Sequence, residues 1–208
     1  MTHEHKCYYF REGYCRLSGK KFTLQDKENL FVHLTNNAIQ KHGDSYGAFA
    51  EGNILSFEQS SKYLKEQDGL DVDFHKMLKE TILPIIETTM ASVRLKINKN
   101  NRKYCFEIFG YDFLIDKNLI PWLIEINTNP CLEESNKLLS QYLPRMLDDA
   151  FKLTLDLLFP PLPPAKLEQY EQDEPRAPSK PFSVPGYKDD ENMWGSQPFY
   201  TLRPLPPN

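Results

Sequence analysis

Two side chains that can bind a cation stand two residues apart near the end of an apolar run. The segment PWLIEINTNPCLEE, residues 121–134, is typical of a buried strand except that it carries Glu125 and Asn127. Side chains two residues apart on a strand project from the same face. The spacing therefore predicts a carboxylate beside a carboxamide, with Pro130 ending the strand.

A third oxygen donor, Asp112, lies on the preceding predicted strand, in FEIFGYDFLID. If the polar turn centres near residues 118–119, an antiparallel hairpin brings Asp112 opposite Glu125 and leaves Asn127 one pleat further along the same face. Two facing carboxylates repel unless something compensates. Mg²⁺ prefers such hard oxygen ligands and completes its shell with water and phosphates. The pattern indicates a metal–nucleotide site; a solvated edge strand, with Asp112 merely nearby, explains these residues alone equally well.

Other residues with metal-binding groups are not predicted to bind a metal. Asp116 is predicted to be a turn residue, and Glu107 to be structural. His3, His5 and Cys7 contain three possible zinc ligands, but no second cluster accompanies them. They are therefore predicted to belong to an unstructured end.

Four segments are predicted to be extended. Residues 104–115 and 121–127 form the two strands of the hairpin. Residues 7–18 alternate aromatic and polar side chains around Gly13, which predicts a strand pair or a bent strand. Residues 31–42 are predicted to begin extended and to end in a polar stretch.

Three segments show helical patterns. Ser56 precedes FEQSSKYLKEQ and is predicted to cap the first turn of a helix. Residues 73–97 have apolar side chains at helical spacing, and Pro84 is predicted to kink or subdivide that helix. Residues 137–159 are predicted to be a final helical stretch, interrupted near Pro144.

The composition limits the class of protein. The chain has 208 residues, 40% of them hydrophobic, which suffices for one globular domain. A net charge of −4 without a basic stripe argues against nucleic-acid binding. There is no apolar run of membrane-spanning length and no signal-peptide pattern, so a cytoplasmic protein with no membrane partner is predicted. Its four cysteines are predicted to be reduced thiols.

The C-terminal region changes in character. Twelve of the 16 prolines lie in residues 160–208, which begin with PPLPP. This tail is predicted to be extended or disordered rather than regular helix or sheet. A simple linker is preferred to a polyproline II ligand for a partner. The predicted divisions are a flexible N-terminus (1–6), a domain (7–160) and the proline-rich tail (161–208).

Several motifs occur in a familiar order: FREGYCR, HLTNNAIQKHGDSYG, EGN, FEIFGYDFLID and PWLIEINTNPCLE. Together they closely resemble the tubulin tyrosine ligase-like family, enzymes of the ATP-grasp fold, over roughly residues 8–160. The resemblance implies an α+β fold class. The chain would be the C-terminal portion of an ATP-grasp fold, an antiparallel sheet with packed helices, followed by the proline-rich tail.

The resemblance also implies roles for individual residues. Asp112, Glu125 and Asn127 match the family's Asp and Glu-x-Asn that hold Mg²⁺–ATP. Arg16 matches the final arginine of the REG motif and is implied to bind the amino acid or the acyl-phosphate end of the reaction.

Two residues of the HLTN motif, Thr35 and Asn36, match the family's ATP contacts. Arg11, within the REG element, is interpreted as a strand-surface charge.

The implied reaction is ATP-dependent ligation of a free amino acid to a carboxylate of tubulin, through an acyl phosphate. It implies ATP and Mg²⁺ as cofactors, tubulin or microtubules as partner, and a cytoskeletal or ciliary location in the cytoplasm. The alternative is a non-catalytic or truncated relative that binds tubulin without turnover. A weaker possibility is another ATP-grasp ligase with a different substrate.

Two questions stay open. Asn37 stands where glutamate-adding members often have Tyr, the IQK and YG…EGN features look more like tyrosine-adding members, and NN-x-IQK is similar to glycine-adding members. Tyrosine, glutamate and glycine therefore all remain candidates. The family's phosphate-binding lysines and adenine hinge precede the matched motifs, so the chain is expected to correspond to the C-terminal part of the catalytic module.

Overall fold

The computed structural model describes residues 5–100, 102–160 and 200–202. Within this part of the chain, short strands and helices alternate in an α+β arrangement, which confirms the predicted fold class at that level. The helices are α1 (Leu30–His33), α2 (Asn37–Gln40), α3 (Phe57–Asp68), α4 (Phe74–Met77), α5 (Leu83–Val93) and α6 (Lys137–Thr154).

The β structure consists of three antiparallel strand pairs. β1 pairs with β6, β2 with β3, and β4 with β5. The strands are β1 (His5–Cys7), β2 (Tyr14–Arg16), β3 (Ile54–Ser56), β4 (Gly110–Ile115), β5 (Pro121–Asn127) and β6 (Tyr200–Leu202).

The pairing of β1 with β6 corrects two expectations. β1 overlaps the N-terminal segment that was predicted to be flexible, and β6 lies in the tail that was predicted to contain no regular sheet. The three residues of β6 are Tyr, Thr and Leu. None of them is proline, and Tyr and Thr have high strand propensity. Residues 1–4, 161–199 and 203–208 lie outside the described part, and the domain boundaries stay predictions.

The structure of residues 7–18 also differs from the prediction. β2 pairs with β3, not with β1, and its register places Cys15 opposite Leu55 and Arg16 opposite Ile54. Ile54 and Leu55 are both buried. β2 pairs with β3 because β3 is buried, and no local sequence pattern reveals this burial.

Residues 31–42 contain two short helices where an extended start was predicted. Asn29 accepts a hydrogen bond from the N–H of Phe31 at 3.1 Å, and Asn36 accepts one from Ala38 at 2.9 Å. An asparagine that caps its own chain in this way starts a helical turn even where the following residues have little helical propensity.

The helix after β3 begins as the sequence predicts. Ser56 accepts a hydrogen bond from the N–H of Gln59 at 3.1 Å, and the Gln59 side chain accepts one from the N–H of Ser56 at 2.9 Å. This reciprocal capping box fixes the start of α3. Gly69, with a φ of 67°, ends the helix in the left-handed conformation.

The predicted subdivision at Pro84 is confirmed. α4 runs into a π-helical segment, Leu78–Ile82, before α5 begins at Leu83. Proline has no N–H to continue the ladder and its ring crowds the preceding turn. A locally widened turn before the proline relieves that crowding.

The predicted interruption near Pro144 is wrong, because α6 continues through that residue. Its buried side chains follow helical spacing, and this packed stripe spans the proline and holds the helix together. The buried residues are Leu139, Tyr142, Arg145, Met146, Asp149 and Ala150.

Buried apolar side chains come from α1, β3, α4, α5 and α6, while one part of the β4–β5 hairpin is exposed. Leu114, Trp122 and Ile124 are each more than half exposed. The four cysteines are free thiols. Among the described residues, no helix is long and apolar enough to cross a membrane.

Candidate functional site

The turn between β4 and β5 is organised by Asp116. Its carboxylate accepts hydrogen bonds from the N–H groups of Asn118 at 2.8 Å and Ile120 at 3.0 Å, and from the indole N–H of Trp122 at 3.1 Å. The bond from Ile120 is the largest of the effects that lower the pKa of Asp116. Leu119 adopts a φ of 63° within the turn. The predicted turn role of Asp116 is confirmed.

This turn sets the register of the hairpin. Asp112 pairs with Glu125, and Gly110 pairs with Asn127. The register shifts between Asp112 and Phe113, and such a bulge increases local twist and re-aims side chains. The hairpin and the predicted facing of Asp112 and Glu125 are confirmed, although β4 begins at Gly110 and not at residue 104.

The three predicted metal ligands lie together. The Asn127 side-chain nitrogen donates to Asp112 Oδ2 at 3.0 Å and lies 3.3 Å from Glu125 Oε1. A single amide group is thus within hydrogen-bond distance of both carboxylates. Their roles as ligands stay predictions.

Arg16 joins this group from a different strand pair. Its Nη2 donates to Asp112 Oδ1 at 2.7 Å, and the two side chains are 35% and 32% exposed. We call Arg16, Asp112, Glu125 and Asn127 the hairpin cluster. The contact connects β2 to β4 across 96 residues of sequence. The sequence indicated both residues separately but not that they touch.

The chemistry of the hairpin cluster fits a magnesium ion. It offers two carboxylates and one carboxamide at a partly exposed surface, which are ligand types that Mg²⁺ accepts while keeping water and phosphate in its shell. Binding requires the Asn127 amide to present its oxygen, which a rotation about its last side-chain bond achieves. No group of three or more His, Cys, Asp or Glu side chains converges in the described part of the chain.

The predicted ATP contacts stand between α1 and α2. Thr35 is half-buried and Asn36 is exposed, with its side chain capping α2. Within the described part of the chain, neither side chain forms a hydrogen bond with the hairpin cluster. Asn37 accepts a hydrogen bond from the Tyr46 hydroxyl at 2.7 Å, so this residue also supports the loop that follows α2.

Buried amides hold this part of the chain in place. The Gln40 side chain, 1% exposed, accepts the N–H of Gly19 at 2.8 Å and donates to Phe31 O at 3.2 Å. Asn53, also buried, accepts the N–H of Gly47 at 2.8 Å. The Gln40 bonds tie the loop after β2 to α1 and α2. Polar side chains in a polar stretch give no sequence signal of such burial.

Tyr14 is a neighbour of the hairpin cluster that sequence reasoning missed. It stands two residues before Arg16 on β2, so the two side chains share a face. Burial raises the pKa of the Tyr14 hydroxyl, Arg16 opposes the shift, and Asp112 adds to it. The hydroxyl therefore stays neutral and can donate a hydrogen bond at neutral pH.

A second group, which surrounds the buried carboxylate of Glu12 and includes the half-exposed His75, was also missed. The Glu12 side chain is 4% exposed; His75 Nε2 lies 3.1 Å from its Oε1, and the Tyr142 hydroxyl donates to its Oε2 at 3.3 Å. Burial raises the pKa of Glu12, while His75 and Tyr142 oppose the shift. Burial, with the charge of Glu12, also raises the pKa of Tyr142. We call Glu12, His75 and Tyr142 the buried acid cluster.

Residues 1–164 match the family model described as the Tubulin-tyrosine ligase family. The chain belongs to this family. Tubulin glycylase 3B of Tetrahymena thermophila is 36% identical over 151 residues, 73% of this chain and 13% of that protein. The probable alpha-tubulin polyglutamylase Ttll1 of the same organism is 34% identical over 152 residues, 72% of this chain and 36% of that protein. The chain thus spans from about an eighth to about a third of the length of these tubulin-tyrosine ligase family relatives.

Proposed function

We propose that this chain carries part of the active site of an ATP-dependent ligase that joins an amino acid to a carboxylate of tubulin. Family membership supports this proposal, as do the names of its relatives, which include tubulin glycylases and a probable polyglutamylase. The observation that carries it is the convergence of the hairpin cluster at a partly exposed surface. The proposed fold is the C-terminal portion of an ATP-grasp domain, in the cytoplasm at the cytoskeleton or the cilium.

The proposed cofactors are ATP and Mg²⁺. Asp112 and Glu125 would hold the ion through carboxylate oxygens and Asn127 through its amide oxygen. Bound magnesium would neutralise charge on the transferred phosphoryl group and orient it. Thr35 and Asn36 would contact the nucleotide.

In the proposed reaction, a carboxylate oxygen of tubulin attacks the γ-phosphorus of ATP, and ADP leaves. The amine of a free amino acid then attacks the acyl carbon of the acyl phosphate. Phosphate leaves with the electron pair of the C–O bond, and the nitrogen loses a proton as the amide forms. Arg16, held beside Asp112, is placed to offset negative charge on the phosphoryl oxygens during these steps.

The test is incorporation of labelled amino acid into purified tubulin. The 208-residue chain, and a version extended upstream if the genome encodes one, are incubated with tubulin, MgATP and, in separate reactions, labelled glycine, glutamate or tyrosine. We expect ATP-dependent incorporation of one of the three by the extended version, which would complete the ATP site. Glu125→Gln should lower the rate at least about 100-fold, because loss of a metal-holding carboxylate removes several kcal/mol of transition-state stabilisation.

Glu107→Gln is the matched control, because Glu107 is an exposed carboxylate on the segment that leads into β4. It should leave the rate within about twofold, as is usual for surface substitutions. Tubulin binding by the extended version without incorporation of any of the three amino acids would instead identify a non-catalytic relative. Equal loss in Glu107→Gln and Glu125→Gln would contradict the role of the hairpin cluster.

A further inference from the structure

A strongly basic segment follows α5 and leads toward β4. No Asp or Glu occurs between Glu87 and Glu107, so sequence neighbours do not neutralise its charge. We call residues 94–103 the basic loop, and the structure describes all of it except Asn101. Its cationic residues are Arg94, Lys96, Lys99, Arg102 and Lys103.

A single asparagine closes the basic loop. Asn98 Oδ1 accepts the N–H of Arg102, and Asn98 Nδ2 donates to the carbonyl oxygen of Arg102, both at 2.7 Å. These two bonds hold the backbone at Asn98 and the backbone at Arg102 together. The loop therefore presents its cations from one closed turn instead of spreading them along an extended chain.

Most of these cations are exposed and lack a partner of opposite charge. Within the described part of the chain, no ion pair involves Lys96, Lys99, Arg102 or Lys103. Tyr104, directly after them, is 80% exposed. Like charges on one loop repel each other, and an acidic partner would relieve that repulsion. The surface therefore fits an acidic segment that also carries an apolar or aromatic side chain.

The end of α6 lies beside the basic loop. Phe151, in the last turn of α6, packs edge-on against Phe106, with ring centroids 6.4 Å apart. Phe106 stands three residues after Lys103. Residues 161–199 connect this end of the molecule to β6. The first part of that connection therefore starts on the side of the molecule that carries the basic loop.

An acidic stretch occurs early in this connection. Residues 168–174 contain no cation, and we call them the acidic run. They begin eight residues after Pro160, and eight extended residues span at most about 28 Å. The acidic run is thus long enough in its tether to reach a loop beside α6. Its acidic residues are Glu168, Glu171, Asp173 and Glu174.

We propose that the acidic run binds the basic loop of the same chain. Its carboxylates pair with Lys96, Lys99 and Lys103, and Tyr170 contacts Tyr104. Each exposed pair contributes little alone. Because the tether is short, however, the effective concentration of the acidic run at the loop is in the millimolar range, and several weak pairs suffice. The contact requires no metal, ATP or tubulin.

The first test is carbodiimide cross-linking, which joins a carboxylate to an amine where the two groups touch. A mixture of equal amounts of unlabelled and ¹⁵N-labelled 208-residue chains is treated, and the cross-linked peptides are identified by mass spectrometry. We expect cross-links from the acidic run to lysines of the basic loop, within chains of one isotope. Their yield should fall at least about threefold at high ionic strength, because salt screens exposed pairs.

The second test measures cleavage of the acidic run by a protease that cuts after glutamate. A loop variant should be cleaved at least about threefold faster than wild type, because cleavage follows the population of the open form. This variant combines Lys96→Gln, Lys99→Gln and Lys103→Gln. The matched control removes three exposed lysines elsewhere and should be cleaved at the wild-type rate. It combines Lys20→Gln, Lys21→Gln and Lys27→Gln.

The reciprocal change supplies the test if the loop variant fails to fold, as judged from its amide spectrum. An acidic-run variant, in which all four carboxylates of residues 168–174 become amides, should speed acetylation of Lys99 and Lys103 at least about threefold. The same exchange at residues 189–191, a second acidic stretch, should leave acetylation unchanged. That stretch directly follows Lys188 and lies farther along the chain from α6.

Three results would overturn the proposal. Cross-links only between chains of different isotope would identify a second copy of the chain as the partner. Equal cleavage rates in the folded loop variant, its control and wild type would mean that the basic loop does not hold the acidic run. Equal affinity of a separate polyglutamate peptide for wild type and for the acidic-run variant would mean that the loop is open to an acidic partner from another molecule.

Discussion

The hairpin cluster and the buried acid cluster both hold carboxylates by hydrogen bonds, but they differ in access to water. In the hairpin cluster Asp112 is 32% exposed, and its partner Arg16 is 35% exposed. In the buried acid cluster the Glu12 side chain is 4% exposed. Exposure leaves oxygens of the hairpin cluster accessible to a ligand, whereas both oxygens of Glu12 bind groups of the protein itself.

The difference predicts opposite consequences of substitution. An ion pair at a partly exposed surface contributes little to stability, because water solvates each partner when the other is removed. A buried carboxylate that loses a partner has no such replacement. Changes in the hairpin cluster should therefore affect ligand binding more than stability, and changes in the buried acid cluster should do the reverse.

The largest effect is expected for metal binding by Asp112→Asn. The substitution removes one of the two carboxylates that would hold a divalent ion, so affinity for Mn²⁺, used in place of Mg²⁺, should fall at least about tenfold. The free energy of unfolding should change by less than about 1 kcal/mol. Paramagnetic broadening of the β4 and β5 amides measures the affinity, and urea unfolding measures the stability.

Asp71→Asn is the control for this change, because it also removes a carboxylate from an ion pair, in this case with Lys65 at 3.0 Å. It should leave Mn²⁺ affinity unaltered. A large loss of stability in Asp112→Asn would mean that the hairpin cluster is structural, and the contrast with the buried acid cluster would not hold.

The next largest effect is expected for His75→Ala. This change removes a hydrogen-bond partner of the buried Glu12 carboxylate and an edge-on contact with the Phe57 ring. The free energy of unfolding should fall by about 1–2 kcal/mol. Mn²⁺ affinity should stay the same. His42→Ala, at an exposed position, should change neither quantity, and an equal loss in both variants would contradict a structural role of His75.

The sequence predicted the hairpin cluster better than the buried acid cluster for a physical reason. Alternation along a strand and the turn at Asp116 are local, so they indicated that Asp112 and Glu125 would face each other. The partner of Glu12 on α6 is 130 residues away, and its partner on α4 is 63 residues away. No local pattern encodes such distant packing.

Because local patterns do not encode distant packing, some other predictions agree with the structure and others do not. The cap at Ser56 and the subdivision at Pro84 depend on neighbouring residues, and both were predicted. The pairing of β2 with β3 and the continuity of α6 through Pro144 depend on burial against distant elements. The Arg16–Asp112 contact is of this second kind. Each residue was indicated by a motif, but the fold alone brings them together.

A smaller effect than that of His75→Ala is expected in the pH dependence of stability, to which Glu12 of the buried acid cluster contributes. Burial raises the pKa of Glu12 above its ordinary value of 4.5, although His75 opposes the shift. The folded state therefore holds this proton more tightly than the unfolded state, and the stabilisation is complete below pH 4.5 and lost as pH rises through the raised pKa. Relative to Glu12→Gln, the wild-type free energy of unfolding should fall over that range.

Urea unfolding at a series of pH values measures this difference. Glu66→Gln is the control, because the Glu66 carboxylate is a surface group that pairs weakly with Lys62. The difference in free energy of unfolding between Glu66→Gln and wild type should stay nearly constant over the same pH range. A rise of wild-type stability relative to Glu12→Gln would mean that the charge of His75, and not burial, dominates the titration of Glu12.

The smallest effect is expected for Asp116→Asn, which tests whether the turn holds the hairpin cluster in place. The hydrogen bonds to Asp116 lower its pKa below the ordinary value of 3.8. The stabilisation by this carboxylate is therefore present above pH 3.8 and lost as pH falls through the lowered pKa. Asparagine can still accept the turn N–H groups through one oxygen, but without charge assistance.

Hydrogen exchange of the β4 and β5 amides should be faster in Asp116→Asn than in wild type at pH 6, and the difference should disappear in acid. The amides of β2 and β3 should exchange at the same rate in both proteins. Asp148→Asn, which breaks a surface ion pair on α6, should not affect the hairpin. If β2 and β3 also open faster in Asp116→Asn, then Arg16 and Asp112 couple the two strand pairs into one cooperative unit, and the hairpin cluster contributes to the fold as well as to the site.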